Sequence, residues 1–387
     1  MNLTSGWQLS PNLSNAVEGS VAENATPAGI ERQPEISVVI STHNRAAELE
    51  ATLPALFKQD LDPARYEVIV VDNNSSDDTP EAIRRLERAH PRLRALREVR
   101  PGVSHGRNCG ILNSRAALVA ITDDDTEVAA NWLSATLRSF SEHPTAAFVG
   151  GPVLPRWHTQ PPAWLTKQHW GPLAVVDYGD RRLILGKERR LCLLTANFAV
   201  RKSALQRVGL FAPEFRRCQD YELQFRMWEA GYHGVYDPAM AAVTTVPEER
   251  VAKSYHRMWY RRNAQYHAMM PAAALLDSVP GNKGIITWLD VPLFVFRQAA
   301  QETAAAVWSY VTGRTVKAFE HETHAWYLFS YARARVRRYF TRMFAKARAQ
   351  RPAQDSGVAI RQQAAGAAVR GPAFGEPPLP LPPEMHE

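Results

Sequence analysis

At 387 residues the chain can hold one large domain or two modest ones, and its 45% hydrophobic content is ordinary for a folded protein. No apolar stretch reaches about 18 residues without a charge, which argues against a membrane-spanning helix, and Cys109, Cys192 and Cys218 lie too far apart for a metal knuckle or a disulfide framework, which fits a cytoplasmic setting. The net charge of +7 leaves nucleic acid, anionic lipid or a phosphorylated substrate as partners.

Residues 1–33 are polar and lack the charged start and apolar run of a signal peptide, so they read as a disordered arm. Glu35 to Ile40 reads as a buried strand ending in the polar turn Ser41-Thr42-His43-Asn44-Arg45. Leu49, Leu53, Leu56 and Phe57 recur at helical spacing. Tyr66 to Val71 is a second strand, closed by Asp72-Asn73-Asn74. Thr79-Pro80-Glu81 has the cap, proline and acid of a helix start. A weaker strand follows at Leu93 to Val99, and Gly102 to Gly110 opens another helix.

The apolar run Leu118 to Ile121 then leads into Asp123, Asp124 and Asp125. Three like charges side by side repel. A hard divalent cation, Mg or Mn, would relieve the repulsion, and an acidic turn capping a helix would also hold them. The residues alone leave both readings open.

A helix over Trp132, Leu133, Leu137 and Phe140 precedes a strand at Ala146 to Gly150. Gly151 to Arg190 changes character: it holds Trp157, Trp164 and Trp170 with several prolines, and reads as a substrate-facing insert more than a core. Leu193 to Val200 returns to a strand, and Gln219-Asp220-Tyr221-Glu222 begins a helix that Gly231 caps. Val235 and Ala239 to Val243 are short strand material. Strands alternating with helices imply an α/β fold with a mostly parallel, doubly wound sheet. In such sheets the polar ends of strands one, two and four line one crevice.

Beyond residue 250 the chain reads as helical. Phe329, Ala332, Val336, Tyr339, Met343 and Ala347 mark one face of a basic helix, with eight Lys or Arg and no acid between Tyr331 and Arg351. Such a helix suits an anionic membrane surface, or plain solvent, or another subunit. Pro352 to Glu387 is proline-rich and reads as a mobile tail. Nucleic-acid binding rests on net charge alone, with no recognition motif, and is set aside.

Val38 to Arg45, Val70 to Asp77, Arg107-Asn108 with Gly110, Asp123-Asp124-Asp125, Ala196-Asn197 and Asp220 together resemble a family 2 glycosyltransferase of GT-A fold over residues 34–265. The resemblance implies an inverting transferase that takes a nucleotide-diphosphate sugar, with UDP as the expected nucleotide, and a divalent metal, Mn or Mg. It assigns residues 34–150 to the nucleotide sugar and 151–265 to the acceptor, with a helical extension at 266–350 and the tail at 351–387. Thr42, Asn44, Arg45 and Asp72 would cradle base and ribose. Asp123 would face the ribose and Asp125 the metal, with Asp123 as its second carboxylate. Arg107 would meet phosphate or stand as a solvated charge.

Asp220 would be the general base. Gln219 stands where relatives carry another acid, and Glu222 is the substitute. Thr244 stands where many relatives carry a histidine for the metal. Trp157, Trp164, Asn197 and Glu222 are the acceptor-side candidates. The implied setting is glycan or polysaccharide synthesis on a glycan or lipid-linked acceptor, at the inner face of the cell membrane. A sugar-nucleotide-binding or scaffold protein without catalysis is the alternative. A nucleotidyltransferase would need a glycine-rich basic loop after the first strand, and Ser41 to Arg45 lacks one.

Overall fold

The computed structural model describes residues 33–271, 274 and 286–349. The expected arm, apart from Gln33, and the proline-rich tail lie outside the described residues. Strand β1 (Ile36–Thr42), helix α1 (Ala46–Thr52), β2 (Tyr66–Asp72), α2 (Thr79–Ala89), β3 (Leu93–Arg97), α3 (Val103–Asn113) and β4 (Leu118–Ile121) alternate as expected. β1 and β2 are buried almost throughout because their Val and Ile side chains have helices on both faces. Each such side chain contributes roughly 1.5–3 kcal/mol by leaving water. β3, β2, β1 and β4 pair in parallel, and the register sets Thr42 beside Asp72 at one end of the sheet. α3 lies hard against β1: a methyl group at Gly106 would overlap Ser41, and one at Gly110 would overlap Val39. The start of α2 shifts by one residue from the sequence reading. Asp78 precedes the helix, while the Thr79 hydroxyl accepts from the Arg45 N–H at 2.9 Å.

The chain continues through β5 (Thr126–Val128), α4 (Trp132–Glu142), β6 (Phe148–Gly150), β7 (Val153–Trp157), β8 (Leu183–Leu185), β9 (Phe198–Arg201), α5 (Lys202–Val208), α6 (Gln219–Glu229), β10 (Gly234–Tyr236) and β11 (Ala242–Val246). The large sheet has the order β3-β2-β1-β4-β9-β6-β10-β8. It is mixed beyond β4, since β9 runs antiparallel to both β4 and β6, and β8 antiparallel to β10. Gly231, at φ 84°, takes the left-handed position that ends α6.

Two expectations change here. The strand anticipated from Leu193 begins only at Phe198, because Thr195–Asn197 wind into a 3-10 turn. Residues 151–190 also have a core of their own. Val153, Leu165, Leu173 and Val175 are buried together, with Trp157, Trp164 and Trp170 packed against them. β7 joins β11 and β5 in a separate three-stranded sheet.

Helix α7 (Lys253–His267), the short pair β12 (Thr287–Trp288) and β13 (Val291–Pro292), α8 (Leu293–Val311) and α9 (Thr315–Ala349) complete the described chain. The buried stripe of α9 differs from the anticipated one. Leu328 and Tyr331 are inside and Phe329 is out. Arg335 is buried too. It donates to the Asp290 carbonyl at 2.9 Å and carboxylate at 3.1 Å, and to the Met270 carbonyl at 2.9 Å. No described helix is long and apolar enough to cross a membrane. The chain divides into compact units at 1–339 and 340–387. In the described part of the second unit, the Phe340 and Phe344 rings stack at 6.3 Å.

Candidate active site

The acidic turn follows directly from the end of β4. Thr122 is buried and donates to the Ala196 carbonyl at 2.9 Å, which fixes where the turn begins. Asp124 points back into the protein. It accepts from the Thr42 hydroxyl at 2.7 Å and from Arg45 Nη1 at 3.0 Å, and its carbonyl accepts from Thr52 at 2.6 Å. Burial pushes its carboxyl up to about 6, against the pull of Arg45 and Thr42. Asp124 therefore anchors the turn. Its neighbours face outward: the side chains of Asp123 and Asp125 are 34% and 32% exposed.

Arg107 is the residue the sequence reading placed least well. It is neither a solvated charge nor a surface phosphate contact, because its side chain is 4% exposed. It projects from α3, which Gly106 and Gly110 seat on β1. Nη2 donates to Asp123 Oδ1 at 2.7 Å, and Nη1 lies 3.8 Å from Asp220 Oδ1. Its guanidinium stands over the Phe211 ring at 5.8 Å. One buried cation thus holds the acidic turn and the candidate base side by side.

Asp220 occupies the first turn of α6, where a helix favours negative charge. It accepts from the Thr195 hydroxyl at 2.8 Å. Burial raises its carboxyl above the ordinary range, while Arg107 and Thr195 pull it down. Cys218, just before the helix, holds φ at 61° and donates its thiol to the Asn263 side-chain oxygen at 2.9 Å. A non-glycine residue in that region is strained, and this one fixes the direction in which α6 starts.

The first loop is tied down more than the sequence suggested. The Thr42 hydroxyl is committed to Asp124, and Thr42 is buried, so it positions the turn instead of touching a nucleotide. Asn44, at φ 52°, accepts from the Ser76 N–H at 2.8 Å and links the loops after β1 and β2. Arg45 forks between Asp124 and Asp125, the latter at 2.8 Å. Asp72 is buried at the end of β2. Its Oδ1 accepts from the Ser75 N–H at 2.9 Å, the turn role, and Oδ2 lies 4.0 Å from Arg97 Nε.

Two of the acceptor-side candidates, Asn197 and Glu222, are buried. Asn197 is wholly buried. It accepts from the Trp132 indole at 2.8 Å and donates to the carbonyls of Pro152 and Met240. Glu222 is clamped by Arg226 at 2.6 and 2.9 Å, and Arg226 in turn ties down the carbonyls of Val208 and Leu210. Neither is presented to a ligand, so both candidates are withdrawn. Trp164 packs edge-on against His169, His256 and Phe319. Trp157 is half-buried at the end of β7. Asn197→Ala is expected to lower stability by about 2–4 kcal/mol, because it strands an indole N–H and two carbonyls. A urea midpoint unchanged from wild type would refute this.

Asp123 and Asp125 are hard oxygen donors of the kind Mg and Mn take. Each commits one oxygen to an arginine, Arg107 or Arg45. Among the described residues no group of three or more His, Cys, Asp or Glu is arranged to hold a metal. The pair fits a cation that draws its other ligands from elsewhere, such as a diphosphate. Thr244 faces Thr126 across β11 and β5, with its hydroxyl 3.5 Å from the Asp125 carbonyl. His256 is buried and bonded to the Arg250 carbonyl at 3.0 Å, away from any such role.

Residues 37–209 match the sequence profile described as glycosyl transferase family 2. This part of the chain is similar to that family. Glycosyltransferase AglE of Haloferax volcanii is 28% identical over 200 residues, 51% of this chain and 63% of its own length. The GalNAc(5)-diNAcBac-PP-undecaprenol beta-1,3-glucosyltransferase of Campylobacter jejuni is 30% identical over 111 residues, 28% of this chain and 35% of its own. The chain thus spans less than two thirds of these curated relatives. A mannosyltransferase from Pyrobaculum calidifontis, solved with GDP-Man and Mn2+, superposes with a TM-score of 0.53 at 21% identity. That likeness covers 79% of this chain and 88% of the other, and establishes the GT-A fold.

Within residues 37–209, several site residues carried no signal in the sequence. Thr195, which holds Asp220, and Thr52, which holds the Asp124 carbonyl, are single hydroxyls in unremarkable surroundings. Asn73 is buried behind Asp72 and accepts from the Gly102 N–H at 2.8 Å while donating to the Arg100 carbonyl at 2.7 Å. Its place in the Asp72-Asn73-Asn74 run was the available hint.

Proposed function

We propose that this chain is an inverting glycosyltransferase that moves a sugar from a nucleotide-diphosphate sugar to an acceptor hydroxyl. The observation that carries the reading is the buried Arg107 between Asp123 and Asp220. It holds two carboxylates from separate elements next to each other. Residues 34–150 hold the donor and residues 151–265 the acceptor.

Asp220 takes the proton of the acceptor hydroxyl. The oxygen attacks the anomeric carbon from the face opposite the diphosphate, the new C–O bond forms, and the nucleoside diphosphate leaves. Burial displaces the Asp220 carboxyl upward, which makes it a stronger proton acceptor than an ordinary aspartate. Arg107 restrains that displacement and keeps Asp220 aimed. Asp72 offers Oδ2 to the single ring N–H of a uracil, which favours a UDP-sugar. Asp123 and Asp125 would hold a divalent cation, whose chemistry when bound is to offset the charge on the departing diphosphate. A Mn2+ complex in the Pyrobaculum calidifontis mannosyltransferase, and the lipid-diphosphate acceptor named for the Campylobacter jejuni relative, are consistent with this.

The test uses purified protein with UDP- and GDP-sugars plus Mn or Mg, recording nucleoside diphosphate release. Asp125→Ala, or metal removal by chelation, is expected to lower release by roughly 100-fold or more. Donor binding without turnover over a broad acceptor panel would favour a binding protein instead.

A further inference from the structure

We propose that α8 and the first half of α9 form a docking face for an anionic lipid bilayer, with α8 lying in the plane of the membrane surface. Helix α8 is apolar on two faces. One carries Val295, Ala299 and Ala306 and is buried in the fold. The other carries Phe296, Val307, Trp308 and Val311 at helical spacing, and the last three are 59%, 65% and 75% exposed. A helix that is apolar all round is normally covered all round. Phe329 of α9 lines the same shallow concavity as Val307, Trp308 and Val311. Trp288 extends the patch past the start of α8, its ring edge-on to Phe296 at 5.8 Å. From Phe296 to Val311 the stripe is about 22 Å long.

The charges around the stripe say what covers it. Arg297 lies on the exposed side of α8, Arg314 and Lys317 stand at the corner between the helices, and Arg333 follows Phe329 by one turn, all exposed. The sequence has no acid from Thr303 to Phe319, nor from Thr323 to Ala349. Of the flanking acids, Glu302 and Glu322 are engaged with His321 and Arg257, and Glu320, next to Phe319, is half-buried. A second copy seated across a two-fold axis would set cations against cations. Lipid phosphates complement them, and tryptophan favours the boundary between headgroups and acyl chains. Since no described helix can cross a membrane, α8 lies on the surface. The contact expected of the basic stretch after Tyr331 thereby moves to α8.

This inference does not rest on the transfer reaction. The full chain is mixed with vesicles of phosphatidylcholine alone, or of phosphatidylcholine with phosphatidylglycerol, across a salt series, and sedimented. Binding is expected only with the anionic vesicles and weakens as salt rises. Trp308→Ser with Val311→Ser, and separately Arg314→Glu with Lys317→Glu, each lower the partition coefficient by about tenfold or more. All four side chains are exposed, and circular dichroism checks that the variants keep the fold. Absence of binding, equal binding to both vesicle types, or binding untouched by either double variant overturns the proposal. Self-association in sedimentation velocity that Trp308→Ser abolishes, without vesicle binding, assigns the face to a second copy.

Discussion

Replacing Asp220 with asparagine is expected to lower sugar transfer by roughly 100- to 10,000-fold while leaving donor affinity within about threefold. Asparagine keeps the shape and can still accept from the Thr195 hydroxyl, but it cannot take a proton. The pH profile makes the test specific. Burial raises the Asp220 carboxyl, so the acid limb of kcat falls above the ordinary aspartate value of about 3.9. Activity is lost as pH falls through that raised value, because the protonated acid no longer accepts. The stability linkage has the opposite slope. The folded protein holds the Asp220 proton at a pH where the unfolded chain has released it. That contribution is present below about 3.9 and disappears as pH rises through the folded value. Asp220→Asn should remove both slopes. Full transfer activity in this variant would sink the base assignment.

The second large effect belongs to Arg107. Arg107→Met leaves Asp123 and Asp220 facing each other without the cation that holds them, and is expected to cost about 2–4 kcal/mol in stability. The figure sits below that of a fully buried pair because both carboxylates are partly exposed. Arg107→Lys should rescue little, since one ammonium cannot span the two acids as a guanidinium does. Combining Arg107→Met with Asp220→Asn should restore part of the loss, because one of the repelling charges is gone. Urea midpoints for the four proteins measure this coupling. Strict additivity would show that Arg107 does not link the two acids.

The left half of the sheet was legible for a physical reason. β1, β2 and β4 are buried on both faces, so they read as unbroken apolar runs, and the polar residues that end them mark the crevice. The order Asp72, Asp123, Asp125 followed from that. The direction of β9 was not legible, because an apolar run is the same for a parallel and an antiparallel strand. Buried polar residues were the other blind spot. Arg107, Asn197, Glu222 and Arg335 have residue types that belong on the surface, and only the partners brought by distant chain segments make them interior. The same limit hid the core of residues 151–190, whose tryptophans pack inward on Leu165 and Leu173. α8 shows the converse: its apolar content was visible, and the side left uncovered was not.

The inward aspartate of the acidic turn sets how this site can be altered. Asp124 is joined to Thr42, Arg45 and Thr52, which come from β1, the loop after it and α1. These four residues form one hydrogen-bonded unit. Varying position 124 alone leaves Thr42 and Arg45 without that carboxylate and is expected to lower stability. Varying all four as a block keeps the partners of Asp124 matched while the exposure of Asp123 and Asp125 is changed.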